Sequence, residues 1–403
     1  MSASGYDVAS VRAAFPALTE GAAHFDGPGG SQVAAPVADA VAATLRAAVA
    51  NRGTVTRAEQ RAEDIVVAAR QAMADLLGAV PDGVVFGRSM TALTFELSRA
   101  IAKTWQPGDE VVVTHLDHDA NIRPWVIAAE TVGATVRWVK FDKETAELPV
   151  DNVTAALSDR TRLVAVTAAS NLFGTMPDVA AIAAAAHAVG ALVYVDGVHY
   201  TAHVGVDMAA LGADFLACSP YKFLGPHLGV VAAAPTLLET VQPDKLLPST
   251  NAVPERFELG TLPYELLAGV TAAVDFLAGL DTGASGSRRD RLVASYAALE
   301  QHESALLDRL LTGLDGLPGV GLHGRPQRRT PTVLFEVAGT PGYDVHAALA
   351  KDNVNIPAGS FYALEASRWF GLGDAGGVRA GIAPYTNADD VDRLLSGLAK
   401  IVA

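Results

Sequence analysis

The feature that most constrains this chain is a rhythm between about residues 80 and 235, where short β-favouring apolar runs alternate with helical stretches. "GVVFG" (83–87), "EVVVTHL" (110–116), "TVRWVKF" (135–141), "RLVAVTAAS" (162–170), "ALVYVDG" (191–197), "DFLACS" (214–219) and "GVVAAA" (229–234) read as strands. Helices are expected between them, clearest at 91–103, 121–132 and 177–189, with an amphipathic helix over 59–77 leading in. Strands alternating with helices predict an α/β fold with a largely parallel sheet covered on both faces. After residue 286 the character changes. A long charged helix from Ser287 precedes strands near 320–324, 331–337 and 376–383, and a closing helix starts at "NADD" with Asn387 as N-cap and acids in its first turn. That predicts a large domain over 26–280 and a smaller α+β domain over 286–403, joined through "DTGASGS" (281–287).

A length of 403 residues, 50% of them apolar, suits such a pair and can bury a core without disulfides or metals. The one cysteine, Cys218, permits no intrachain disulfide, which fits a reducing compartment. A net charge of −14, with no Lys/Arg run longer than two, argues against nucleic acid and anionic membranes as partners. The opening "MSASGYDVASVRAAFPALTEG" has no secretory h-region, and His187 and Gly190 interrupt the longest apolar stretch. The expectation is a soluble, cytoplasmic protein.

Ligands of parallel α/β sheets bind beyond the carboxyl ends of the strands. Those ends here carry "GRSMT" (87–91), "HLDHDAN" (115–121), "ASNLFGT" (169–175), "DGVHYTAH" (196–203) and "CSPYKFLGPH" (218–227). One such end is ordinarily a turn; five together point to a site. "GRSMT" offers Ser89, Met90 and Thr91 at a helix N-terminus, an anion site that helix capping explains equally well. It is not a P-loop, and no GxGxxG follows a strand. Lys222 is the informative residue: a lysine held at a strand end can lose its proton to desolvation and attack a carbonyl. Pyridoxal 5'-phosphate needs such a lysine, a carboxylate against its ring nitrogen and a phosphate cup. Lys222, Asp196 and "GRSMT" supply one of each, with Ser219 close by.

Over roughly residues 20–400 the chain resembles the class V aminotransferase family, most closely its cysteine desulfurase and selenocysteine lyase branch. "HFDGPGGSQ" is similar to the family's opening strand and glycine turn, "HDAN" to the segment whose imidazole stacks on the cofactor, and "SNLFGT" to the one whose asparagine lies near the phenolic oxygen. "VDGVHYTAH", "CSPYKFLGP", "RFELGT" (256–261) and "VRAGIAPYTNADDVDRL" continue the match. The resemblance implies a fold type I enzyme of the pyridoxal phosphate class, with an N-terminal segment (1–25) packing on the small domain, acting on an amino acid as a homodimer. It assigns His118 to the ring face, Asn171 to the phenolic oxygen and to substrate, Asp196 to the pyridine nitrogen, and Lys222 to the Schiff base. Ser89, Met90, Thr91 and Ser219 go to the cofactor side, Thr261 to the phosphate of the other subunit, and Arg379 to the substrate carboxylate. A bidentate guanidinium–carboxylate pair suits that last task.

The chain departs from the family pattern at two places. Glutamine is usual three residues after the aspartate; here His199 stands there and can still reach the cofactor's phenolic oxygen as donor or acceptor. Desulfurases carry a loop cysteine before the C-terminal arginine, whereas the matching loop "AGSFYALEA" (358–366) places Tyr362 there. Cys218 follows strand alternation to the face opposite Ser219 and is expected to be core. The leading expectation is therefore β-elimination from a sulfur- or selenium-bearing amino acid without a persulfide cysteine. Transamination and epimerisation remain open within the family. A metal-dependent hydrolase using His115, Asp117, His118, Asp119, His199 and His203 is the alternative of another class, and it leaves Lys222 unexplained. A non-catalytic relic of the fold is a third reading.

Overall fold

The computed structural model describes residues 5–403. Its main sheet has strands β1 (Val84–Gly87), β2 (Glu110–Thr114), β3 (Thr135–Val139), β4 (Thr161–Thr167), β5 (Leu192–Asp196), β6 (Phe215–Cys218) and β7 (Gly229–Ala233). The order is β1-β7-β6-β5-β4-β2-β3, seven strands in all. Every pair is parallel except those of β7, which runs antiparallel to both β1 and β6. The mostly parallel sheet expected from the apolar runs is the one observed, every strand but β1 ending slightly short of its apolar run. Two reversals cancel, so β1 and β6 point the same way. The carboxyl ends of β1, β2, β4, β5 and β6 therefore lie along one edge.

Alternation along these strands feeds two separate cores. Phe86, Val112, Val166, Val195 and Cys218 face one side, where they meet Met73, Leu77, Ile182, Leu267 and Val274. Val85, Val113, Ala165, Tyr194 and Ala217 face the other, against Leu97, Ile101, Trp125 and Ala129. Helices Arg57–Leu77, Val179–Ala188 and Tyr264–Leu277 thus cover one face, and Met90–Ala102 and Arg123–Val132 the other. Each fully buried Val or Leu adds about 1.5–3 kcal/mol, so continuous burial on both faces is what holds so polar a strand-end edge in place. At the outer edge, β3 exposes Arg137 and Trp138, and Arg137 reaches back to Glu110.

A second sheet follows residue 286, with β8 (Val320–His323), β9 (Thr332–Val337), β10 (Ala358–Gly359) and β11 (Gly377–Gly381) in the order β10-β11-β9-β8. Leu310, Leu314, Phe335, Leu394 and Leu398 join it to helices Arg288–Asp315 and Ala388–Val402. Asn387 caps the last helix, accepting from the Asp390 N–H while the Asp390 carboxylate accepts from the Asn387 N–H. Ala23–His24 pairs in parallel with Val354–Asn355, and Arg12 bonds Asp390, so the N-terminal segment rests on this part of the chain. We propose domain limits of 26–280 and 286–403 on this basis.

Candidate active site

Lys222 ends a short 3-10 turn (Pro220–Lys222) that leaves β6, with Ser219 extended just before it. Its Nζ donates to the Pro28 carbonyl and lies 4.8 Å from the Tyr221 ring centroid. Burial pushes the amine down to about 7; Arg379 adds to the shift, and Asp26 and Asp196 oppose it. Asp196 closes β5, and its Oδ1 accepts from the Val198 N–H at 2.9 Å. Burial pushes its carboxyl up to about 6, eased by that N–H and by Lys222. A carboxyl poised in this way is ready for a cationic N–H.

His118 begins the turn after β2, its Nδ1 accepting from the Ala120 N–H at 3.0 Å. Its remaining hydrogen is therefore on Nε2, and burial, with Lys222 and Arg379 nearby, lowers its pKa to about 4. It is a neutral imidazole. Asn171, beyond β4, donates from Nδ2 to the Phe361 carbonyl at 2.9 Å, while its Oδ1 is buried without a partner. Nε2 of His199 lies 2.9 Å from the Thr330 hydroxyl and 3.0 Å from that of Thr332, and its Nδ1 is likewise buried and unpartnered.

Ser89 caps helix Met90–Ala102 by accepting from the Ala92 N–H at 3.1 Å. The first-turn N–H groups of Met90 and Thr91 have no partner within the helix and are left for an anion. Gly229 packs beneath this turn, where a Cβ would come within 2.1 Å of the Ser89 carbonyl carbon. Only glycine fits there. These groups line one cavity that includes Ser89, Met90, Thr91, His118, Asn171, Asp196, His199, Ser219 and Lys222.

Arg379 approaches from β11, wholly buried. It donates from Nη1 to the Asn171 carbonyl at 2.9 Å and from Nη2 to Asp26 Oδ1 at 2.8 Å, and its Cζ sits 3.7 Å over the Phe361 ring. Burial lowers its pKa to about 10 against the pull of Asp26. Tyr362 is 77% exposed at the mouth, its ring centroid 5.7 Å from that of His118. Its carbonyl accepts from the Asp119 N–H at 2.7 Å, and both Phe361 and Tyr362 have positive φ, so the loop is bent sharply here. Thr261 does not reach the cavity; it lies exposed in a separate groove with Arg88 and His227. The sequence reading passed over two residues. Asp26, which pairs with Arg379, sits in "FDGPGG", matched above only to an opening strand and glycine turn. Tyr221, beside the lysine, lines the cavity and stacks on His227 at 4.7 Å.

The hydrolase set is dispersed. His115 packs against Trp138 and Trp369, and Asp117 is buried on Thr114 and Asn121. Among the described residues no three His, Cys, Asp or Glu side chains converge as a metal site would require.

The family model for Aminotransferase class-V matches residues 23–394. The chain belongs to this family. The chain is 36% identical to an uncharacterised protein of Mycobacterium tuberculosis, covering 98% of this chain and 99% of that one. It is 31% identical to a cysteine desulfurase of Pectobacterium atrosepticum, with 98% of each covered. Among solved structures, the cysteine desulfurase CsdA of Escherichia coli superposes with a TM-score of 0.86 at 27% identity over 98% of both chains. The family is pyridoxal 5'-phosphate-dependent, and the cavity fits that group. It holds a lysine of lowered pKa for the aldehyde, a carboxyl for the ring nitrogen, free helix N–H groups for the phosphate, and two buried polar atoms, Asn171 Oδ1 and His199 Nδ1, that lack partners.

Proposed function

We propose that this class-V enzyme releases a sulfur- or selenium-bearing β-substituent from an α-amino acid by elimination, with no persulfide formed on the protein. One observation carries the reading. The chain's one cysteine, Cys218, is fully buried in the core and its thiol is pushed far up by burial, while the loop position that needs a thiol has Tyr362. A persulfide requires an accessible thiolate, which a buried high-pKa thiol and a phenol cannot supply.

Bound through Lys222, pyridoxal phosphate would withdraw electrons from the substrate's Cα. The remaining work falls to the chain. Arg379 binds the substrate carboxylate, since its fork is buried and already aimed across Asn171. Lys222, an amine near neutrality in its affinity for protons, takes the Cα proton and returns it where needed. Asp196 keeps the ring nitrogen protonated, and His118 covers the ring as a neutral group that adds no competing charge. Ser89, Met90, Thr91 and Ser219 hold the phosphate, and Tyr362 shapes the mouth or donates to the substrate.

We propose further that the enzyme is a homodimer in which Thr261 serves the neighbour's phosphate. Thr261 lies outside its own cavity, close to Leu259, which is 56% exposed, and Leu246 and Leu247 are 67% and 97% exposed. Apolar groups left out in this way suit a subunit contact. No helix among the described residues is long and apolar enough to cross a membrane, and we place the enzyme in the cytoplasm.

The test is to supply L-cysteine, L-cystine and L-selenocysteine to holoenzyme and measure pyruvate, alanine and sulfide, with mass spectrometry of labelled thiols. Pyruvate without protein persulfide, unchanged in Cys218→Ser, is the expected result. Persulfide on Cys218, with alanine as product and activity lost in the serine variant, would return the enzyme to the desulfurases. Keto-acid exchange alone would make it a transaminase.

A further inference from the structure

Arg70 stands on the buried face of helix Arg57–Leu77, inside the apolar stripe of Val66, Ala69, Met73 and Leu77. A guanidinium placed there is costly unless it is paired. Its partners lie at the free edge of β1. That strand ends the main sheet, with β7 on one side and no strand on the other. The Val84 carbonyl and the Phe86 N–H, two residues apart along the strand, share that open edge. Arg70 Nη1 donates to the Val84 carbonyl, and Glu258 Oε1 accepts from the Phe86 N–H at 2.9 Å.

The two side chains also close on each other. Arg70 donates from Nη1 to Glu258 Oε1 at 3.0 Å and from Nη2 to Oε2 at 2.9 Å, and the side chains are only 6% and 4% exposed. This two-point pair covers the edge where a neighbouring strand is missing. Beyond Phe86 the chain runs directly into the turn of Ser89, Met90 and Thr91, whose first-turn N–H groups are left for an anion. Gly87, the last paired residue of β1, lies opposite Gly229, so neither partner braces the turn with a side chain. Arg70 and Glu258 do not line the cavity, and any influence they have on it passes through the backbone of β1.

We propose that Arg70 and Glu258 are positioning residues for the cofactor's phosphate. Locked to each other and to β1, they fix the end of the strand and with it the N–H groups that receive the phosphate. A cup of backbone N–H groups works only when it is held to within about 0.5 Å, because each bond is directional. The proposal rests on reading the turn after β1 as the phosphate cup and is independent of the role given to Thr261.

The experiment compares pyridoxal 5'-phosphate with pyridoxal, which lacks only the phosphate, on full-length protein freed of cofactor. Affinity is read from the absorbance of the lysine adduct, and borohydride trapping on Lys222 checks the site. Glu258→Gln removes the charge beside Arg70, while Arg70→Lys keeps a charge and gives up the two-point grip. The preference for the phosphorylated form should fall about tenfold in Glu258→Gln, the size of a lost hydrogen bond to a charged group, and several-fold in Arg70→Lys. Affinity for pyridoxal itself should change less than about twofold. A part in stability alone would lower both affinities together or neither, so an unchanged preference in these variants overturns the proposal. Where Glu258→Gln does not fold, Arg70→Lys decides. Failure of the underlying reading looks different: neither aldehyde is trapped on Lys222, or wild type is indifferent to the phosphate, and both claims fall. Trapping on Lys222 with a wild-type preference that neither variant moves rejects the positioning role alone.

Discussion

Raising the pH around cofactor-free protein should titrate Lys222 near 7, far from the ordinary lysine value of 10.5. Only the neutral amine attacks the aldehyde. The sign follows from the lowered pKa: the amine is protonated and inert below the midpoint, and fully active above it. At pH 7 about half of it is neutral, where an unshifted lysine would be neutral in roughly one molecule in three thousand. Cofactor uptake should therefore fall about tenfold per unit below pH 6 and level off above pH 8. Stopped-flow absorbance measures the uptake rate, divided by that of a free amine of known pKa to remove the cofactor's own titration. The neighbours give the second handle. Asp26 and Asp196 hold the proton on and Arg379 drives it off, so Asp26→Asn should lower the midpoint and Arg379→Gln should raise it. A rate still climbing tenfold per unit between pH 7 and 9, or an upward shift in Asp26→Asn, would refute the argument.

Asp196→Asn should retain the borohydride-trapped cofactor while turnover falls at least a hundredfold, and near-normal rates would remove its role on the ring nitrogen. Arg379→Lys gives up a two-point grip and should cost about 1.5–3 kcal/mol in kcat/KM, roughly 10- to 150-fold, for amino acids but not for their decarboxylated amines. Sedimentation should find a dimer, and mixing Thr261→Ala with Lys222→Ala subunits should yield hybrid dimers with one site lacking both residues and one intact; an active monomer would end the interface proposal. Trp125→Ala, in the fully buried core beneath the helix over 123–132, should cost about 3–5 kcal/mol of stability by denaturant unfolding without moving the spectrum of bound cofactor.

The strands were legible because runs such as "EVVVT" and "LVYVD" owe their conformation to adjacent residues, and their polar ends fall where the runs stop. Asp196 and Lys222 could be found for the same reason. The direction of β7 could not, since "GVVAA" pairs equally well either way; only the fold shows it antiparallel, with Gly87 opposite Gly229. Helices Ala35–Arg46 and Tyr264–Leu277 were passed over because alanine and small residues blur the apolar stripe. Asp26 was hidden by distance: its partner is 353 residues further on, and a half-exposed aspartate before a glycine reads as a turn. Tyr221 had no signal of its own, an aromatic beside a lysine being ordinary packing.

The pairing of Asp26 with Arg379, and of Ala23–His24 with Val354–Asn355, has a consequence for synthesis on the ribosome. The strand ends bearing Lys222, Asp196 and the phosphate turn emerge together, whereas Asp26 waits through 353 further residues for its guanidinium. Loop closure itself is cheap at that span, about 0.6 kcal/mol for each doubling, but contacts so remote in sequence form slowly. A nascent chain can thus own a cofactor pocket well before it owns a carboxylate grip. Vectorial folding would give the enzyme an interval in which it binds its coenzyme and has no means of holding an amino acid.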